Sequence, residues 1–273
     1  MDSESIEQGG IDQGGIEQGA KLPGHAFTTR QELEFDATPE EVWAAIATGP
    51  GIDSWYMGRN EVEPGVGGTV RMAFGPYCPE STITVWEPGE HLAYGTAPAP
   101  DGRFMAYEFL IEGRDRASTI LRTVTSGFLP GDDWEDEFEA MSSGGAMCFA
   151  TLPEYLAHFR GRIATPVTVF GPPADGWATT WTALTGELGL TTTPAAGDRV
   201  SFKTGDGATI DGEVYFTNRD TLGVRTDDAL YRFFRSFFNN GIVVSHHVFR
   251  ETVGREETEH VWESWLTHLA DQS

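Results

Sequence analysis

Hydrophobic and polar positions alternate from Gln31 to Ala37, so Leu33 and Phe35 share one face of a predicted strand. The period then changes. Thr38-Pro39-Glu40-Glu41 supplies an N-cap, a proline at the first helical position and two acids on the positive end of the helix dipole. Val42, Trp43, Ala45 and Ile46 follow at helical spacing, and Gly49-Pro50-Gly51 ends the helix before another short turn at Ile52 to Tyr56. From Asn60 the chain reads as strands between turn signals. The runs are Val70 to Phe74, Ser81 to Trp86, His91 to Thr96, Phe104 to Ile111 and Ser118 to Ser126. Their short spacers predict an antiparallel meander, because parallel crossovers need about a dozen residues or more. After Gly127 the helical period returns through Phe138, Met141, Met147, Phe149, Leu152, Tyr155, Leu156 and Phe159, with Gly144-Gly145 and Pro153 expected to bend or divide the segment.

The second half repeats this order in shorter form. A helix is predicted around Trp181 and Leu184, strands at Arg199 to Lys203, Thr209 to Phe216, Thr221 to Arg225, Leu230 to Phe238 and Ile242 to Phe249, and a final helix from Glu256. Gly197-Asp198-Arg199-Val200-Ser201-Phe202 mirrors Gly67-Gly68-Thr69-Val70-Arg71-Met72, and Trp265 to Leu269 mirrors Tyr155 to Phe159. A second, shortened copy of the first unit is the reading that follows; an unrelated small α+β domain is the alternative. Residues 6 to 20 are three five-residue copies, IEQGG, IDQGG and IEQGA, too polar to offset their ordering entropy by burial. The division is therefore a disordered acidic, Gly-rich tail over 1–26, a first domain over 27–162 and a second over 163–273.

Particular residues carry a resemblance. Asp36-Ala37-Thr38-Pro39-Glu40-Glu41-Val42-Trp43, Glu63-Pro64-Gly65-Val66-Gly67-Gly68, Trp86-Glu87-Pro88-Gly89-Glu90-His91-Leu92, Thr125-Ser126-Gly127 and Leu152 to Phe159 occur in one order. Together they resemble the SRPBCC, or START-like, helix-grip superfamily, with particular likeness to the C-terminal domain of activators of the heat-shock chaperone ATPase and to polyketide cyclases. The resemblance implies an α+β helix-grip fold, a curved antiparallel sheet wrapped round a long C-terminal helix, and a cavity for a small hydrophobic molecule. Strand parity then nominates the inward side chains. They are Met72, Phe74, Leu92, Tyr94, Met105, Tyr107, Phe109, Leu121, Thr123 and Thr125, closed by Met147, Leu152 and Tyr155 of the helix, with Trp55 near the mouth. Aromatic walls, soft thioethers and a few hydroxyls suit a flat or flexible apolar ligand. The same composition also suits a filled core.

Composition limits the rest. The 273 residues carry 42 acids against 18 bases, a net charge of −24, which repels nucleic acid and anionic membrane surfaces. Cys78 and Cys148 have no metal-ligand spacing, no run approaches the ~18 apolar residues of a membrane span, and no basic, apolar leader follows Met1. A cytoplasmic setting is the expectation. His246 and His247 are adjacent on a strand and so point to opposite faces, which argues against one shared metal ion. Glu259-His260 with Glu263 lacks a third ligand, and the acids of Asp132-Asp133-Trp134-Glu135-Asp136-Glu137 suit a helix N-terminus. His91, Glu108 and His158 fall off the inward face, so no catalytic base, metal or cofactor is expected. The favoured function is non-catalytic ligand binding. Its alternatives are a cyclase or aromatase-like enzyme using the same pocket, and a chaperone-interacting module. The activator family also uses a separate N-terminal domain where this chain has its acidic tail, so a chaperone partner is the weaker reading.

Overall fold

A computed structural model describes residues 24–114, 118–132, 134–250 and 254–271. The five-residue repeats lie outside the described residues. Twelve-residue β1 (Gly24–Phe35) begins inside the segment read as a tail and well before Gln31. Its extra length pairs with β7 (Ser118–Pro130), from Gly24 opposite Pro130 to Phe35 opposite Thr119.

Two helices follow. In α1 (Pro39–Ala47), the Thr38 hydroxyl accepts from Glu41 N while the Glu41 carboxylate accepts from Thr38 N, a complete capping box. Thr38→Ala is expected to cost about 1 kcal/mol in urea denaturation, since it leaves a helix N–H without its partner. Helix α2 (Gly49–Ile52) is a single turn whose Gly51 admits no side chain: an added Cβ would lie 1.9 Å from Ala44 O.

The meander comprises β2 (Arg59–Val62), β3 (Thr69–Ala73), β4 (Glu80–Glu87), β5 (His91–Gly95), β6 (Phe104–Arg114) and β7. With β1 it forms a seven-stranded antiparallel sheet in the order β1-β7-β6-β5-β4-β3-β2. Helix α3 (Trp134–His158) then crosses it. The expected division at Gly144-Gly145 and Pro153 is absent, and 25 residues run as one helix. Burial compensates the weak propensity: Met147, Cys148, Thr151, Leu152, Tyr155 and Leu156 are all buried along the C-terminal half.

The second unit repeats the topology. β8 (Thr165–Phe170), α4 (Trp177–Glu187), β9 (Arg199–Lys203), β10 (Thr209–Thr217), β11 (Thr221–Arg225), β12 (Ala229–Arg235), β13 (Ile242–Val248) and α5 (Arg255–Ala270) follow in that order. Its six-stranded sheet runs β8-β13-β12-β11-β10-β9, so the first strand again pairs with the last and the rest form a meander. One strand fewer makes it the shortened copy. Its helix-facing side is filled by Phe202, Tyr231, Phe233, Trp262 and Trp265, whose rings lie 5.4 to 6.4 Å apart in edge and tilted contacts.

The other side of this sheet is not solvated. β12 is buried from Ala229 to Phe234 and β13 throughout, the pattern of strands covered on both faces. The cover is the first unit: α3 packs on β1 and β7 and also on β10, β11 and β12. The long helix is thus held between two sheets.

Candidate functional site

Antiparallel register brings the inward residues into rows. Leu92 stands opposite Phe109, and Phe109 opposite Thr123; Tyr94 stands opposite Tyr107, and Tyr107 opposite Thr125. Tyr94 packs on Tyr107 at 5.3 Å and on Phe109 at 5.9 Å between ring centroids. Leu121 is opposite Ile111, and Met105 opposite Gly127, where an added Cβ would lie 2.9 Å from the Met105 sulfur. Trp55, Leu92, Phe109, Leu121, Leu152 and Tyr155 are buried in one cluster with Tyr94 and Tyr107 packed against it. The Trp55 indole N–H donates to Ala45 O at 2.9 Å, which fixes the ring beneath α1.

Three of the nominated residues go elsewhere. Met72, Phe74 and Met147 meet Phe234 and Val243 of the second unit in a separate cluster, with Phe74 edge-on to Phe170 at 5.2 Å. Parity can choose a sheet face but cannot say whether a ligand space or another domain covers its end.

The tyrosines at the centre combine two properties. Burial pushes the Tyr107 hydroxyl up to about 12 and drives those of Tyr56, Tyr94 and Tyr215 well above the usual phenol range. All four are therefore neutral at pH 7. Yet all four residues are only half-buried. The Tyr94 hydroxyl makes no hydrogen bond among the described residues and keeps some accessible surface.

The sequence did not single out several neighbours. Tyr56 interacts with Tyr107 and Tyr94, and Phe149 lies 6.2 Å from Trp55. Tyr215 crosses from the second unit, its hydroxyl 2.9 Å from Thr151 Oγ1. Thr151 has a single hydroxyl proton, which it gives to Met147 O at 2.7 Å, so Tyr215 is the donor to Thr151. Gly223 makes room for the Tyr215 ring: an added Cβ would come within 2.4 Å of it.

Arg232 is the other missed residue, and the signal was present as a lone cation within the apolar run Ala229-Leu230-Tyr231-Arg232-Phe233-Phe234. It is fully buried. Its guanidinium donates to Ser245 O (2.8 Å), Trp55 O (2.9 Å), Tyr56 O (2.7 Å), Ser245 Oγ (2.9 Å) and the Cys148 sulfur (3.6 Å). Beside it, His247 Nδ1 lies 2.7 Å from Asp53 O. The second unit therefore grips the backbone of residues 53 to 56 from two adjacent strands.

His91, Glu108 and His158 lie away from this interior. His91 Nε2 pairs with Glu108 at 2.9 Å, and His158 lies 3.6 Å from Glu154. Trp134 stacks on His25 at 4.0 Å, while Glu137 of the acidic segment pairs with Arg103. No group of three or more His, Cys, Asp or Glu that could hold a metal occurs among the described residues, and no described helix is long and apolar enough to cross a membrane. Two clefts lie outside the inward set. One of about 220 Å³ is lined by residues including Gly171, Thr180 and Leu266; one of about 300 Å³ lies between the units beside Arg59, Phe170 and Arg255.

No curated protein matches the chain. Among solved structures, protein MLL2253 from Mesorhizobium loti is 22% identical over 48% of this chain and 97% of its own, with a TM-score of 0.42. The Aha1 dimer from Colwellia psychrerythraea is 20% identical over 48% of this chain and 96% of its own, with a TM-score of 0.39. The di-domain ARO/CYC BexL from the BE-7585A biosynthetic pathway is 12% identical over 90% of this chain and 98% of its own, with a TM-score of 0.43. Residues 36–157 match the family model described as activator of Hsp90 ATPase homolog 1-like protein. That match and the strand order of the first sheet give residues 36–157 an Aha1-like fold.

Proposed function

We propose that the chain binds a small hydrophobic molecule between the first sheet and α3. The fold suggests hydrophobic ligand binding or cyclase-like activity, and one observation supports a ligand beside the first sheet: burial raises the hydroxyls of Tyr56, Tyr94, Tyr107 and Tyr215, yet the four residues are only half-buried. A fully packed core would leave such rings no accessible surface. The second unit has such a core, with Trp262 and Phe233 almost fully enclosed, so the binding role falls to the first.

Binding without turnover is the simpler reading of the side chains. The inward rows carry phenols and threonine hydroxyls, which donate and accept hydrogen bonds, and the histidine and carboxylate of His91 and Glu108 pair with each other away from them. A cyclase-like reaction would use the unpartnered Tyr94 hydroxyl as a donor to a substrate carbonyl, and that observation keeps it as the second reading.

Thr125 projects from the same face as its cross-strand neighbour Tyr107, so Thr125→Trp would fill the space beside the tyrosines. The expected result is loss of at least about tenfold in affinity for N-phenyl-1-naphthylamine, a neutral fluorescent apolar probe, with an unchanged far-ultraviolet spectrum. Native mass spectrometry of the purified wild type should also show retained mass that the variant lacks. Equal probe binding by both proteins would place the ligand elsewhere. Turnover of aromatic polyketides by the wild type, abolished in Tyr94→Phe, would favour the enzyme.

A further inference from the structure

We infer that Gly145 of α3 is a specificity-determining residue of the proposed site: the bare helix turn there forms a wall, against which lies a ring of a neutral apolar ligand that a side chain at 145 would exclude. The inference rests on the proposed site between the first sheet and α3 and names the position at which that site selects for ligand bulk.

Glycine inside a helix calls for a reason, because its backbone freedom weakens the helix relative to alanine. Helix α3 carries two in succession, Gly144 and Gly145, and neither has a positive φ, so alanine would fit the backbone at both. Gly144 has a packing partner. An added Cβ would lie 3.4 Å from the Phe237 ring of the second unit. Gly145 has none: apart from its chain neighbours and the adjacent helix backbone, no heavy atom lies within 4 Å of a Cβ added there. Carbons in contact sit about 3.5 to 4 Å apart, so the clearance holds at least one further carbon without displacing any side chain.

Helical period locates this gap. Phe138 and Leu152 lie seven residues to either side of Gly145, so all three share one face of α3. Phe138 packs edge-on against Phe27 of β1 at 5.2 Å, and Leu152 is fully buried in the core of the first unit. That face therefore covers the first sheet, with a gap between two positions that pack. One turn further along, Cys148 interacts electrostatically with Tyr56 and Tyr107, and the Phe149 ring lies 6.2 Å from Trp55. The gap thus adjoins the tyrosines, and Gly145 is, like them, only half-buried. The backbone groups of a helix interior already bond to one another, so the bare turn offers contact area and no free donor. An uncharged ring suits such a wall.

The test is titration of N-phenyl-1-naphthylamine into full-length Gly145→Ala, Gly145→Leu and Gly144→Ala, each with a thermal melt. Both alanine variants should melt about 1 to 3 °C above the wild type, since each gains helix propensity and neither meets a clash. Probe affinity should fall about threefold in Gly145→Ala and at least about tenfold in Gly145→Leu, and stay within about twofold in Gly144→Ala. A purely structural glycine would move the melting temperature and leave the affinity alone. Wild-type affinity in a folded Gly145→Leu overturns the inference, while the site itself stands if Thr125→Trp still abolishes binding. Equal losses in the two alanine variants overturn it too, because they would come from helix stiffness and not from the gap. If Gly145→Leu does not fold, unchanged affinity in Gly145→Ala overturns it in the same way. A wild type that binds no probe overturns the site and the inference together.

Discussion

Arg232→Ala is expected to lower the unfolding free energy by about 3 to 5 kcal/mol, placing it among the most damaging single changes available in this chain. Truncation opens a cavity at the junction and strands Trp55 O, Tyr56 O, Ser245 O and Ser245 Oγ without their donor. Each buried acceptor left unpaired costs about 1 to 3 kcal/mol, and the relief of no longer burying an uncompensated charge offsets part of the sum. Arg232→Met retains most of the volume and gains the same relief, so it should cost less than alanine. Guanidinium denaturation of the two variants checks the order. An alanine variant within 1 kcal/mol of wild type would mean that the grip on residues 53 to 56 is structurally idle.

Stability is also expected to fall steeply as pH drops from 6.5 to 5. His246 and His247 are held well below the usual histidine pKa, by burial first and by Arg232 second. In the unfolded chain they take up protons near pH 6.5. Between those limits the unfolded state binds more protons than the folded one, so the contribution present above pH 6.5 is lost on acidification. Each histidine should cost at most about 2 kcal/mol by pH 5. Asp53, whose pKa burial raises, acts in the opposite direction, but only near the carboxylate range at the acidic end. The groups that fix the two rings also suggest the control. His246 Nδ1 accepts from Arg232 N at 3.0 Å and its ring meets Trp262 at 4.2 Å, while His247 Nδ1 faces Asp53 O. Asparagine can accept in the first case and donate in the second. The double variant His246→Asn with His247→Asn should flatten the melting temperature between pH 7 and 5. Persistence of the wild-type slope in that variant would assign the acid sensitivity to other groups.

Acid acts on the junction that borders the proposed site. Protonated His247 would place a second charge beside Arg232 where the structure offers neutral acceptors, so low pH should loosen residues 53 to 56, which carry Trp55 and Tyr56 to the proposed site. Retention of N-phenyl-1-naphthylamine should therefore fall before global unfolding.

Local chemistry determined much of this protein. Alternation, turn residues and the Thr38 capping box fixed the elements of the first unit, and parity placed Leu92, Tyr94, Tyr107, Phe109, Thr123 and Thr125 on one face. The mirrored Gly197 and Gly67 segments and the matching C-terminal helices revealed the second unit, because the same strand order needs the same punctuation. What local chemistry could not decide was what covers each face. A strand's period is two whether its far side meets water, a helix or another sheet. Only the tertiary structure sends Met72, Phe74 and Met147 to the junction, keeps α3 continuous through Gly144-Gly145 and Pro153 by burying it between two sheets, and encloses Arg232 against residues 177 and 176 positions earlier in the chain. Contacts at that separation leave no local pattern. Their trace in the sequence is a residue that looks misplaced, an arginine in the middle of an apolar strand, and its reason exists only once the two halves have met.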